Sequence, residues 1–240
     1  MKKLDNQIFQ DRRKSFLSKL DGKAAIIPGA KLVQHHADCE YPFRQESNFW
    51  YLTGFDEPDA IALFLSHKPK GERYILFVHP KNIESEVWNG FRWGTNGAEK
   101  IFKADKSYPI SEFEKELPNY LMGADEIVFP VGKYPEIEHI VLSLWAKQID
   151  NYSRIGRAPR AIRPLGMFLN QMRLIKSEYE ISRMREAVLI SAEAHELVRL
   201  NIGSKKHEKQ IQGLLEGFFL EKGTRGPAYN SIVASGDNAC

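Results

Sequence analysis

The chain has 240 residues, 42% hydrophobic and 27% charged, which is the composition of a globular protein with room for one large domain or two modest ones. A formal net charge of +3 is too small to make nucleic acid the default partner, and no apolar run approaches the roughly 18 residues of a membrane span. Two cysteines, Cys39 and Cys240, form neither a CxxC pair nor a disulfide framework, and no apolar segment follows Lys2 and Lys3 as a secretory signal would need. A reducing, cytoplasmic setting is expected.

In chain order, residues 5–20 read as an amphipathic helix. Ile8, Phe9, Phe16, Leu17 and Leu20 lie on one side, and Arg12, Arg13 and Lys14 sit between them. Residues 23–27 look like a short buried strand ending at Pro28-Gly29. Further strands are expected at 49–53, 60–65, 74–79 and 126–129, each bounded by Gly, Pro or Asp. Helical patterns occupy 111–121 and 135–148. Interleaved strands and helices predict an α/β layered structure for the first 170 residues or so.

Residues 43–60 stand apart from that pattern. Phe43, Phe49, Trp50, Tyr51 and Phe55 alternate with Arg44, Gln45 and Asn48, a mixture too aromatic for a surface loop and too polar for a core strand. One reading is an aromatic platform whose polar groups are held in defined hydrogen bonds; the other is a strand with a polar approach loop.

Residues 151–177 carry Arg154, Arg157, Arg160, Arg163, Arg173 and Lys176 together with Gly156, Pro159, Pro164 and Gly166, and read as a linker whose cations pair with acids across a domain junction. Ser177 and Glu180 then form a capping box. The helix behind it places Ile181, Met184, Val188, Ala192, His195 and Val198 on one face, and Gly203 ends it. A second helix over 208–222 offers Ile211, Leu214, Leu215, Phe218 and Phe219, and residues 228–234 are a single strand-like run. Two amphipathic helices need a partner surface, so this end of the chain reads as the opening of a second domain whose sheet is missing.

Chemistry-bearing patterns are sparse. His35, His36, Asp38, Cys39 and Glu40 have the composition of a metal cluster, but adjacent strand residues point to opposite faces and cannot all converge on one ion. HExxH, GxSxG, GxxxxGK[ST] and GxGxxG are absent. His195 reads as a packed helical histidine and His207 as a surface one. Trp88-Asn89-Gly90-Phe91-Arg92-Trp93-Gly94 is a second aromatic loop, either a lip that stacks on a ligand or another subunit, or a loop packed on its own domain.

Tyr41-Pro42-Phe43-Arg44-Gln45, Asn48-Phe49-Trp50-Tyr51-Leu52-Thr53-Gly54-Phe55 and Glu57-Pro58 resemble the N-terminal domain of bacterial Xaa-Pro aminopeptidases (aminopeptidase P). Glu86-Val87-Trp88-Asn89-Gly90 is similar to that family's aromatic loop. Met172 to Ser177 with Glu180-Ile181, and Tyr229 to Asn238, are similar to the entry and first strand of its catalytic domain.

The resemblance implies a creatinase-type, ribonuclease H-like α/β domain with a mixed sheet and flanking helices over residues 1–172. The incomplete start of an α+β pita-bread metallopeptidase domain would occupy 173–240. It implies hydrolysis of the bond before a second-position proline, with two divalent ions, usually manganese, activating a bridging hydroxide. It places the metal ligands and catalytic histidines beyond Cys240, so no catalytic or metal residue is expected in this chain, and these residues alone are expected to be inactive. Trp88 matches an aromatic position that reaches a neighbouring subunit's substrate cleft, and Asp38 is a second candidate for that rim. Arg44 and Gln45 are expected to hold the fold. The implied partners are proline-containing peptides and further copies of the chain in a dimer or tetramer, without nucleic acid or membrane. Alternatives are a prolidase or creatinase relative, or a non-catalytic binding or assembly module of the same fold, as in a histone-chaperone subunit.

Overall fold

The computed structural model describes residues 6–203 and 207–239. Met1 to Asp5, where the signal reading begins, and Cys240 lie outside the described residues. The chain divides into two compact units, Met1–Leu174 and Ile175–Cys240.

The first unit opens with helix α1 (Asn6–Leu20), then strand β1 (Ala24–Pro28), a hairpin of β2 (Gln34–His36) and β3 (Cys39–Glu40), helix α2 (Ser47–Thr53), and strands β4 (Ile61–Leu65) and β5 (Tyr74–Val78). Helices α3 (Ile83–Asn89) and α4 (Gly94–Lys100), strand β6 (Lys106–Pro109), helix α5 (Phe113–Leu121), strand β7 (Ile127–Phe129) and helices α6 (Pro135–Asp150) and α7 (Tyr152–Ile155) follow, before β8 (Ile162–Pro164) and α8 (Gly166–Leu174).

Six strands form one mixed sheet in the order β6-β5-β4-β1-β7-β8. β4 is antiparallel to both β1 and β5, whereas β6, β7 and β8 pair in parallel. Side chains alternate between the faces of a strand, so the sheet feeds two cores. Ala25, Ile27, Ala62, Phe64, Tyr74, Leu76, Val78 and Val128 face one of them, with Phe16 and Leu20 of α1, Phe49 and Leu52 of α2, Ala98 of α4 and Leu169 of α8. Ala24, Ile26, Ile61, Leu63, Leu65, Ile75, Phe77, Ile127 and Phe129 face the other, closed by Phe113, Leu117 and Leu121 of α5 and Val141 of α6. The result is the expected mixed α/β layering, and each fully buried leucine or phenylalanine in it contributes about 1.5–3 kcal/mol.

Two expectations fail in this unit. Residues 49–53 are helical, not a strand. Glu46 caps α2, its Oε2 accepting from the Asn48 and Phe49 amides at 2.7 and 2.8 Å, and Gly54 closes it in the left-handed region at φ 65°. A short apolar run has no decisive period, and its two caps settle the matter. Residues 151–177 are not a linker either. β8 extends the sheet beside β7, and α8 buries Leu169 in the core. Arg163 accordingly forms a two-pronged pair with Glu126 inside this unit, and hydrogen bonds from Arg163 hold the Glu126 carboxyl below its usual range.

The second unit contains α9 (Glu178–Asn201), α10 (Glu208–Glu221) and a 3₁₀ turn at Gly236–Ala239. The capping box is present as read: the Ser177 amide donates to Glu180 Oε2 at 3.0 Å, and Ser177 Oγ accepts from the Glu180 amide at 3.4 Å. Ser177→Ala is expected to destabilise α9 by about 1 kcal/mol, seen as a lower urea midpoint for loss of helical circular dichroism.

Residues 228–234 are irregular, since a strand needs a neighbour to take its backbone hydrogen bonds and none is present among the described residues of this unit. The face expected to be buried on α9 is also displaced. Met184 and Val188 are exposed, as is His195, whose Nδ1 bonds the Ser191 carbonyl at 2.8 Å, while Ala194 is buried and α9 packs along α10. Among the described residues, no helix is long and apolar enough to cross a membrane.

Candidate functional site

The aromatic segment around Trp88 is built by two short helices. Asn82 Oδ1 accepts the Glu84 amide at 2.9 Å at the start of α3, where Glu84 and Glu86 suit the helix N-terminus. The Gly90 amide returns to the Glu86 carbonyl at 3.0 Å, and Gly90 adopts φ 79°. This leaves Trp88 near the end of α3 with 88% of its surface exposed, alongside exposed Ile83, Val87 and Phe91.

Trp93 behaves differently. Its ring stands edge-on to Phe91 at 4.9 Å and to Phe102 at 5.5 Å, and Phe102 meets Phe55 at 4.9 Å. The two readings of this loop therefore divide between its two indoles: Trp88 projects and Trp93 packs.

Beneath the segment lies a polar assembly that reaches the core. Gln45, buried, accepts the Ala30 and Glu46 amides at Oε1 (2.7 and 2.8 Å), while Nε2 donates to the Phe55 and Glu57 carbonyls at 3.3 and 2.8 Å. All four of its hydrogen-bonding valences are used. Glu57 Oε1 accepts the Trp93 amide at 2.7 Å. Burial pushes the Glu57 carboxyl above the usual carboxylate range, against the opposing pull of that hydrogen bond and of Arg92 and His79. His79 Nε2 lies 3.3 Å from Asp59 Oδ2.

Gln45 thus holds the fold as expected. Arg44 is exposed and takes no part in the hydrogen bonds that Gln45 makes. Asn48 takes a hydrogen bond from Arg173, and Tyr51 Oη donates to the Met172 carbonyl at 3.2 Å, which ties α2 to α8.

Asp38 sits in the turn between β2 and β3, exposed, with Cys39 Sγ 3.8 Å from its Oδ1. The His35 ring stands edge-on to Tyr41 at 4.5 Å. Among the described residues, no hydrogen bond, ion pair or ring contact joins Asp38 to Trp88. In the sequence Glu57 stands out only through its place in the motif Glu57-Pro58. A carboxylate at a turn between two apolar runs was the available sign of its burial.

Among the described residues, no group of three or more His, Cys, Asp or Glu side chains could hold a metal ion. The residues present therefore do not fit a metal pair, and no step of a metal-assisted reaction is assigned to them.

The family model for the aminopeptidase P N-terminal domain matches residues 9–129, and that for metallopeptidase family M24 matches residues 182–240. The chain is 33% identical over 241 aligned residues to the Xaa-Pro aminopeptidase of Escherichia coli (strain K12), covering 100% of this chain and 55% of that protein. It is 35% identical to the Xaa-Pro aminopeptidase of Haemophilus influenzae, covering 100% of this chain and 53% of that one. The solved structure of Pseudomonas aeruginosa aminopeptidase PepP superposes with a TM-score of 0.93 at 32% identity, over 100% of this chain and 54% of that one. The chain spans about half the length of the relatives it matches. With its N-terminal half matched by the aminopeptidase P model and a fold shared throughout with such a peptidase, the chain belongs to the aminopeptidase P family.

Proposed function

We propose that these 240 residues are the N-terminal portion of an Xaa-Pro aminopeptidase, which removes the first residue of a peptide whose second residue is proline. The observation that carries this reading is the pair of family matches in series, aminopeptidase P N-terminal domain and then family M24, with 33–35% identity running through both. In this reading residues 1–172 are the N-terminal domain and 173–240 begin the pita-bread domain. The division of the structure at Leu174 supports that boundary.

The metal pair, manganese in this reading, belongs to the complete catalytic domain, as the match of residues 182–240 to only the start of a family M24 domain suggests. Such a pair supplies a hydroxide nucleophile near neutral pH. What this chain contributes is a surface: the protein is a homo-oligomer in which Trp88, with Asp38 as a second element, forms the rim of a neighbouring subunit's substrate cleft. The near-complete exposure of the Trp88 indole supports that role. A large rigid aromatic brings contact area at low entropic cost, as at many binding surfaces.

The test compares two proteins, each stripped of metal and then given manganese. Residues 1–240 alone are expected to cleave no Xaa-Pro peptide. The protein including its downstream coding sequence is expected to cleave an Xaa-Pro tripeptide in preference to an Xaa-Pro dipeptide, and Trp88→Ala in it is expected to lose about tenfold in kcat/KM, equivalent to about 1.4 kcal/mol. Cleavage by the shorter chain would refute the division of labour. A preference for the dipeptide would point to a prolidase, and a longer protein without activity on either would point to a binding module.

A further inference from the structure

Glu57 is the one carboxylate among the buried polar side chains of the described residues, 6% exposed. Its Oε1 accepts the Trp93 amide at 2.7 Å, whereas its Oε2 is buried and has no hydrogen-bond partner among the described residues. A half-satisfied buried carboxyl group is costly. A plain structural tie could be made more cheaply by a backbone carbonyl. A carboxylate makes the stronger acceptor, because hydrogen bonds to an ionised partner are roughly twice as strong as neutral ones.

Both ends of the tie are informative. On the inner side, the Glu57 main chain is itself fixed by Gln45, which also grips Ala30 just beyond β1 and Phe55 beyond α2. Glu57 is therefore fixed, through Gln45, in the segment that leads from α2 into β4. On the outer side is Trp93, at the junction of the exposed aromatic segment with α4. The next residue, Gly94, has φ 61°, and a Cβ there would meet Lys81 at 3.0 Å, so the junction is both tightly turned and closely packed.

Further polar contacts join the segment to its own entry at Lys81. The Arg92 amide donates to Glu86 Oε1 at 3.3 Å, Lys81 Nζ lies 3.6 Å from that same oxygen, and Lys81 sits 4.4 Å over the Phe91 ring. The Glu57–Trp93 hydrogen bond connects this segment to the core, and the Trp93–Phe102 ring contact supports it.

We propose that Glu57 is a positioning residue: it sets the angle at which the 83–93 segment leaves the sheet, and so where Trp88 and Phe91 present their rings. This rests on the reading of Trp88 as a cleft rim. A rim indole helps only if it is held in place before the peptide arrives, since ordering it during binding would cost affinity. Glu57 acts through Trp93 and Trp88 and touches no reacting atom.

The test uses the full-length protein with Glu57→Ala, Glu57→Gln, Trp88→Ala and the double variant. It reads amide hydrogen exchange over residues 83–93 together with kcat and KM for an Xaa-Pro tripeptide. Glu57→Ala is expected to speed exchange at Trp93 and through the segment while the sheet amides keep their protection. KM is expected to rise about tenfold with kcat little changed. Glu57→Gln keeps an acceptor oxygen for the Trp93 amide and is expected to recover most of that loss. On the Trp88→Ala background, Glu57→Ala is expected to add almost nothing, because it acts through the ring already removed.

Unchanged exchange at Trp93 in Glu57→Ala overturns the proposal. So does faster exchange with KM unmoved while Trp88→Ala raises it, or full additivity in the double variant. If Trp88→Ala leaves KM unchanged, the rim reading itself fails, and the positioning role for substrate falls with it even where exchange shows the tie. Should Glu57→Ala not fold, Glu57→Asp withdraws the carboxylate by one methylene and is read by the same criteria.

Discussion

Replacing Gln45 with alanine is expected to destabilise the first unit by about 3–5 kcal/mol, near the top of the range for single substitutions. The side chain is 7% exposed and makes four hydrogen bonds to the main chain of three separate segments. Its removal leaves the Ala30 amide and the Phe55 and Glu57 carbonyls to be satisfied by other means in a site with little room for water. A Cβ at neighbouring Gly29 would come within 2.9 Å of Gln45 Oε1. Gln45→Glu separates hydrogen bonding from packing, because it keeps the shape and an acceptor but offers no donors to the two carbonyls. Both variants should fall well below wild type in urea unfolding followed by tryptophan fluorescence. A loss under about 1 kcal/mol for Gln45→Ala would show that the site relaxes and that Gln45 is no keystone.

Arg13→Ala is expected to cost about 3 kcal/mol, by a different route. Arg13 Nη1 donates to the Leu52 carbonyl at 3.0 Å and Nη2 to the Phe102 carbonyl at 3.3 Å, with the guanidinium 4.3 Å over the Tyr74 ring. Burial lowers its pKa, and the nearby phenol of Tyr74 and carboxylate of Asp105 work the other way. Leu52 lies in the last turn of α2, where helical carbonyls lack internal partners and carry the negative end of the helix dipole. Arg12 serves the same turn, donating to the Tyr51 carbonyl at 3.2 Å while stacking 4.0 Å over the Tyr51 ring. Arg13→Lys retains the charge but cannot span two carbonyls and cover a ring at once, so it should recover only part of the loss. A thermal unfolding midpoint for Arg13→Ala equal to wild type would contradict this account.

Arg12 and Arg13 also show where a pattern read along the chain stops being sufficient. The run Arg12-Arg13-Lys14 reads as the polar side of an amphipathic helix, and α1 does form with Phe9, Phe16 and Leu20 buried. Yet both arginines are buried too, because a second helix ends beside them with carbonyls to satisfy. Residues 49–53 belong to that second helix. Their aromatic and β-branched content favours a strand, whereas Glu46 and Gly54, the capping residues that make them a helix, lie outside the run. In α9 the capping box was legible because all its partners lie within four residues. Which face of that helix meets α10 was not legible, because both faces carry apolar side chains.

For the candidate site the division is similar. The family motifs, and the mixture of aromatic and polar residues in 43–60, were visible in the residues themselves, and of Arg44 and Gln45, both expected to hold the fold, Gln45 is the one that bonds into the interior. That Trp88 projects while Trp93 packs, and that Glu57 joins Trp93 to the buried polar assembly around Gln45, could not be read there.

Strands β1, β4, β5 and β7, helices α1, α5, α6, α9 and α10, and the family all followed from local information: periodicity, turn residues, caps and contiguous motifs. These signals survive in a one-dimensional reading because the interactions behind them span only a few residues. The edge strand β8, the burial of Arg12 and Arg13, and the Glu57–Trp93 bond across 36 residues depended on which segments folding brings together. A buried donor or acceptor must find a partner wherever the fold supplies one, and its own sequence neighbourhood does not record where that is.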